Sequence, residues 1–192
     1  MIEHAPWMGS EYQLGLCGQR VAIVGWSHWG EWDEGDVGTI ECISKVLSGE
    51  WRIAFFTKIR NYFGYDSHAI FWPRVMFFNY LPNLVGGAKE RFGPGTPDQR
   101  DAAKERFTRL LNGMLPQKVL VFTSRKWAFP TMNDCQNFTA EFPQFRKCTF
   151  AVDSSHPLNI FFLRHPQGAN GPAMKRAVQY VLNAPPQRSD RL

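Results

Sequence analysis

Three short apolar runs in this chain end in residues able to do chemistry. Ile160-Phe161-Phe162-Leu163 runs into Arg164-His165-Pro166-Gln167-Gly168-Ala169-Asn170. Val21-Ala22-Ile23-Val24 stops at Gly25-Trp26-Ser27-His28-Trp29-Gly30, and Val75-Met76-Phe77-Phe78 at Asn79-Tyr80-Leu81-Pro82. An imidazole exchanges protons near neutral pH. A carboxamide presents a donor beside an acceptor and can read the edge of a planar ring that offers the complementary pair. A hydroxyl such as that of Ser27 becomes a nucleophile when a base stands beside it.

Residues of these types act together only if the elements carrying them end at one place. Apolar runs without polar alternation suit strands buried on both faces, as in a parallel sheet covered by helices. Ligands of such sheets bind beyond the carboxyl ends of the strands. The layout agrees. Strands are predicted at Arg20–Gly25, Arg74–Asn79, Lys118–Phe122, Thr149–Val152 and Ile160–Leu163, the last two around a turn at Asp153–Asn159. Helices are predicted from about Asp36 or Thr39 to Gly49, over Trp51–Tyr62, over Pro97–Asn112 and over Gly171–Leu182. The third has Thr96 as cap, Pro97 at its first position and Gln99 completing a capping box, with Gly113 as its stop. Ser124–Phe129 reads as a short helix or turn, and 130–146 shows no clean period. The expectation is one three-layer α/β/α domain over residues 1–192, with a central, mostly parallel sheet of four to five strands. Residues 1–19 form a loose amino-terminal arm and 185–192 a flexible tail.

Composition is ordinary for a globular chain, with 44% hydrophobic and 20% charged residues, which argues against disorder. Lys and Arg number 22 against 17 Asp and Glu, a net charge of +5 that is compatible with a polyanionic partner. No apolar stretch is long enough to span a bilayer, and the opening residues lack the layout of a signal peptide, so a cytoplasmic protein is expected. Cys17, Cys42, Cys135 and Cys148 form no close pair in sequence. They read as four reduced, mostly buried thiols rather than a metal or cluster site.

The ordered set of strand ends resembles the uracil-DNA glycosylase superfamily, over about Arg20 to Leu182. That family has a glycine-led loop after the first strand, an Asn ending the second, and a His-Pro loop after the last. Here these are Gly25-Trp26-Ser27-His28-Trp29, Asn79, and His165-Pro166-Gln167-Gly168-Ala169-Asn170. The resemblance implies hydrolysis of the N-glycosidic bond of uracil flipped out of DNA, leaving an abasic site and free uracil, as in base excision repair. It implies that Asn79 matches uracil O4 and N3–H, that His165 donates to O2 as charge moves onto the base, and that the backbone around Gly25 and Trp26 helps hold the base. Arg164, Pro166, Gln167, Gly168 and Asn170 would meet DNA. Such chemistry needs no metal or organic cofactor, and a monomer is the expected state.

The first loop departs from the family's Gly-x-Asp-Pro-Tyr pattern. Ser27 stands at the Asp position, His28 at the Pro position, and Trp29 at the Tyr position, where it would exclude thymine's methyl group. The water activator is left among His28, Asp33, Asp36 and Glu41. The ring that stacks on the base is left among Trp32, Phe55 and Phe56, with Phe56 preferred because Phe55 lies on the apparent core stripe. Two rivals stand beside this reading. Ser27, Asp153 and His156 would make an esterase triad. A non-catalytic module would bind uracil-containing DNA and release no base.

Overall fold

The computed structural model describes residues 3–28, 35–85, 93–123, 135–151 and 157–184. Its strands are β1 (Trp7–Met8), β2 (Val21–Gly25), β3 (Val75–Asn79), β4 (Lys118–Thr123), β5 (Gln136–Asn137), β6 (Arg146–Ala151) and β7 (Pro157–Arg164). Its helices are α1 (Gly38–Leu47), α2 (Ala54–Tyr62), α3 (His68–Phe71), α4 (Pro97–Met114) and α5 (Gly171–Asn183), with one-turn 3-10 helices at Trp72–Arg74 and Pro166–Gly168. The strands form a single mixed sheet in the order β1-β3-β2-β4-β7-β6-β5.

The four central strands, β3, β2, β4 and β7, are parallel. They are the apolar runs of the sequence, and β2, β3 and β4 are buried at every residue. Three antiparallel margins widen the sheet to seven strands, beyond the four to five expected. Two of those strands, β1 and β5, are two residues long and leave no period to read.

Strand alternation divides the core into two layers. Val21, Ile23, Val75, Phe77, Leu120, Phe122, Phe161 and Leu163 pack with apolar residues of α1, α2, α3 and α5. Ala22, Val24, Met76, Phe78, Val119, Val121 and Ile160 pack under Ala103, Phe107, Leu110 and Leu111 of α4. Helices therefore cover both faces, as a parallel centre requires.

The capping box of α4 forms as expected: Thr96 Oγ1 accepts from Gln99 N at 3.2 Å, and Gln99 Oε1 accepts from Thr96 N at 2.9 Å. The helix runs past Gly113, however, and ends where Leu115 takes the left-handed conformation at φ 46°.

Two expectations are corrected. The amino-terminal arm is not loose. β1 pairs with β3, Tyr12 and Leu16 are buried, and Arg106 of α4 holds both Glu3 and the carbonyl of His4. Trp7, Tyr12 and Leu16 bring enough apolar surface to tie the segment down. The cysteines are not all reduced: Cys135 and Cys148 form a disulfide, with Cα atoms 4.4 Å apart. The antiparallel pairing of β5 with β6 brings them face to face. Cys17 is exposed, and Cys42 is half-buried with its thiol pushed up to about 11 by burial.

No helix among the described residues is long and apolar enough to cross a membrane. Nor does any group of three His, Cys, Asp or Glu among them converge to hold a metal ion.

Candidate functional site

The alternation that sorts the core also sorts the strand ends. Gly25 is in phase with Val21 and Ile23, Asn79 with Val75 and Phe77, and His165 with Phe161 and Leu163. All three stand at carboxyl ends of parallel strands, on the face covered by α1, α2 and α5.

Gly25 pairs directly with Asn79. A Cβ added at Gly25 would stand 2.1 Å from Asn79 Oδ1 and 3.5 Å from Phe77 Cζ. The glycine is therefore required for the Asn79 carboxamide to lie across the end of β2. Asn79 is 6% exposed, a side chain largely withdrawn from bulk water at the rim of the sheet. Beyond it the chain stays fastened to the first loop: Tyr80 N donates to Gly25 O at 3.0 Å, and Leu81 N to Trp26 O at 2.9 Å.

His165 leaves β7 with its own N–H bonded to Thr123 O at 3.0 Å. Its Nδ1 accepts from Gln167 N at 3.2 Å, closing the 3-10 turn of the His-Pro loop. That bond places the imidazole proton on Nε2. Burial, and secondly the Lys58 ammonium, lower its pKa and so favour the neutral ring. Lys58 Nζ is anchored to Pro166 O at 3.2 Å. The result is a neutral imidazole whose Nε2–H is a donor.

Phe55 of α2 connects the two. Its ring centroid lies 5.3 Å from that of His165 and 6.0 Å from that of Phe77, whose Cζ is 3.5 Å from where a Cβ of Gly25 would stand. The preference for Phe56 is reversed by the structure. Phe56 is 3% exposed and packs on Trp72 and Phe77. Trp51 is exposed and lies outside α2, which begins at Ala54 and turns Phe56, Ile59 and Tyr62 inward.

Trp26 offers a ligand its backbone alone. It falls in phase with Ala22 and Val24, so its side chain enters the core under α4, stacks on Tyr80 at 5.4 Å and donates to Gly93 O at 3.3 Å. Its indole cannot touch a ligand lying over Asn79. Pro166 is also buried, which leaves Arg164, Gln167, Gly168 and Asn170 as the exposed part of that loop. Asn170 caps α5, its Oδ1 accepting from Ala173 N at 3.1 Å.

His28 is bound into the amino-terminal end of α1. Its Nε2 lies 2.9 Å from Thr39 Oγ1, and its ring sits 5.3 Å from that of His4. Ser27, one residue before, is half-buried, while Asp36 and Glu41 are exposed. Trp29, Trp32, Asp33, Asp153 and His156 lie outside the described residues, so Ser27 is the one member of the esterase triad that can be placed.

Sequence reasoning missed Phe77 and Lys58. The signals were there: Phe77 is two residues before Asn79 on the same strand face, and Lys58 is one helical turn from Phe55. A groove of about 560 Å³ lies elsewhere, along α5, lined by Glu141, Phe142, Pro172, Lys175, Arg176 and Tyr180 among others. It carries charges of both signs and none of the strand-end residues.

No model of a known protein family matches the chain, and no curated protein matches its sequence.

Proposed function

We propose that this chain is a DNA glycosylase that hydrolyses the N-glycosidic bond of uracil, with an arrangement like that of the uracil-DNA glycosylases. The observation that carries the reading is the convergence of Asn79 and a neutral His165 on one face at one end of the parallel sheet, with Phe55 and Phe77 between them.

Each group has work in that reaction. Uracil presents O4 and N3–H side by side, and the Asn79 carboxamide offers the matching donor and acceptor. Phe55 is the ring for the base to lie against, a contact worth ~1–3 kcal/mol per base. As the C1′–N1 bond breaks, its electron pair passes onto the ring and charge grows on O2. The Nε2–H of His165 donates there, and a donor aimed at developing charge is worth ~3–4 kcal/mol. A neutral imidazole suits the task, since it keeps its proton as the uracil anion departs. Water then bonds to C1′ and releases a proton, giving an abasic sugar.

Bond breaking leads in such a path, so the water needs orienting more than deprotonating. Ser27 has a hydroxyl to orient it but no carboxylate charge to stabilise the sugar cation, and slow turnover is expected. Extruding the base costs a few kcal/mol. Arg164, Gln167, Gly168 and Asn170 on the exposed loop, with the net charge of +5, supply contacts to the strand around it. Trp29 keeps the role of excluding thymine. A monomer working in the cytoplasm without a metal or cofactor is part of the same proposal.

The test is a labelled oligonucleotide with a single uracil, incubated with the protein and then treated with alkali, beside a thymine control. Cleavage at uracil alone, lost in Asn79→Ala and His165→Ala, supports the reading. Retention of uracil-DNA without cleavage makes the chain a binding module. No retention, together with p-nitrophenyl acetate turnover lost in Ser27→Ala, overturns the proposal in favour of an esterase.

A further inference from the structure

Arg106 is a charged side chain only 1% exposed, on α4, on the face of the sheet opposite the Asn79 carboxamide. Its donors go three ways. Nη1 donates to Asn79 O at 2.7 Å, Nη2 to His4 O at 2.5 Å, and Nε to Glu3 Oε1 at 2.9 Å. The guanidinium also lies 5.5 Å from the ring centroid of Phe78, the residue before Asn79.

The Asn79–Tyr80 peptide is thereby held from both sides: Arg106 takes its carbonyl, and Gly25 O takes its N–H at 3.0 Å. A peptide plane fixed at both ends fixes the direction in which the Asn79 side chain leaves the strand. That direction carries the discrimination. Uracil offers an acceptor at O4 and a donor at N3, while cytosine reverses both, so the carboxamide discriminates between them only when it reaches the base from one fixed anchor.

We infer that Arg106 is a positioning residue, which holds Asn79 through its backbone and thereby keeps the site selective for uracil over cytosine. The inference rests on the proposed function. Arg106 does not touch the base, and three converging donors explain why an arginine stands there: a lysine has no planar fork to reach two carbonyls and a carboxylate together. The position is also legible in hindsight, since Arg106 falls on the buried stripe of Ala103, Phe107 and Leu110.

The experiment compares the wild-type chain with Arg106→Lys, Arg106→Met and Glu3→Gln. Glu3→Gln weakens the ion pair to the arm and leaves the Asn79 bond in place. Three quantities are read: melting temperature, the ratio of kcat/KM on uracil and cytosine oligonucleotides, and the NMR signal of the Asn79 side-chain amide. The Arg106 variants are expected to lower the uracil-to-cytosine ratio about tenfold or more. They are also expected to move the Asn79 amide signal, while Glu3→Gln leaves both unchanged. If Arg106→Met does not fold, Arg106→Lys carries the comparison. A fall in melting temperature with an unchanged ratio and an unmoved Asn79 signal makes Arg106 a structural staple and overturns the inference. Should the wild-type chain neither cut nor bind uracil-DNA, the glycosylase reading fails. The Asn79 signal then still decides whether Arg106 sets that side chain.

Discussion

At the scale of single residues, the site depends on two side chains being held in one state each. His165 is held neutral by burial and by Lys58, which lower its pKa from 6.5. If the neutral ring is the working form, kcat/KM is flat above pH 6.5 and falls as pH drops through the lowered value. Lys58→Met removes a like charge, raises that pKa and moves the acid limb toward higher pH. A pH–rate profile of both proteins checks this, and an unmoved limb would remove Lys58 from the site. Asn79 is held by the absence of a Cβ at Gly25. In Gly25→Ala the methyl group would stand 2.1 Å from Asn79 Oδ1, so the carboxamide has to leave. A displacement of this order at a reacting site costs about 100-fold in rate. Gly25→Ala is therefore expected to approach Asn79→Ala in kcat/KM while remaining folded by circular dichroism.

At the scale of elements, the positions that hold the scaffold are separable from those proposed to do chemistry. The α4 capping box lies at the far end of the helix from its left-handed stop, and its Gln99 side chain also donates to Asn83 Oδ1 at 2.7 Å and to Leu84 O at 2.8 Å in the loop after β3. Thr96→Ala should cost about 1 kcal/mol in urea unfolding with an unchanged slope, and leave the proposed uracil cleavage unaffected. The Cys135–Cys148 disulfide closes a 13-residue separation at the sheet's antiparallel margin. A closure of that size contributes about 2–4 kcal/mol. Reduction with dithiothreitol is expected to lower the urea midpoint, and Cys148→Ser to abolish that sensitivity. Phe56 teaches a related lesson. Phe55 and Phe56 are neighbours on one helix, and how α2 packs on the sheet, rather than the spacing of its apolar residues, decides that Phe56 is the fully buried ring and Phe55 the partly buried one.

For the whole molecule, acid is the condition that tests the two lowered histidines together. His165 is lowered by burial and Lys58, and His68 by burial and Arg60. Each binds its proton more tightly in the unfolded chain. The unfolded state therefore gains protons on acidification, and stability is lost as pH falls below about 6.5 toward the folded values. Urea midpoints from pH 8 down to pH 5 should decline, and His68→Gln with His165→Gln should flatten the decline. A midpoint that is level over this range would show that neither ring is neutralised by folding.

The sequence by itself determined the parallel centre of the sheet, because strands buried on both faces have to be continuous apolar runs. It also determined that Gly25, Asn79 and His165 end those runs, and that Thr96, Pro97 and Gln99 open α4. Tertiary structure decided the rest. That the Trp26 indole enters the core depends on strand phase relative to the layers, which no single strand reveals. β1 exists through pairing with the distant β3, β5 and the disulfide through pairing with the next strand, β6, and both short strands leave two-residue traces. Arg106 looked like one cation among many on a helix, and only packing α4 against the end of β3 makes it the group that holds Asn79. Local pattern specifies where a residue lies along an element, whereas its partners are set by how elements far apart in sequence come together.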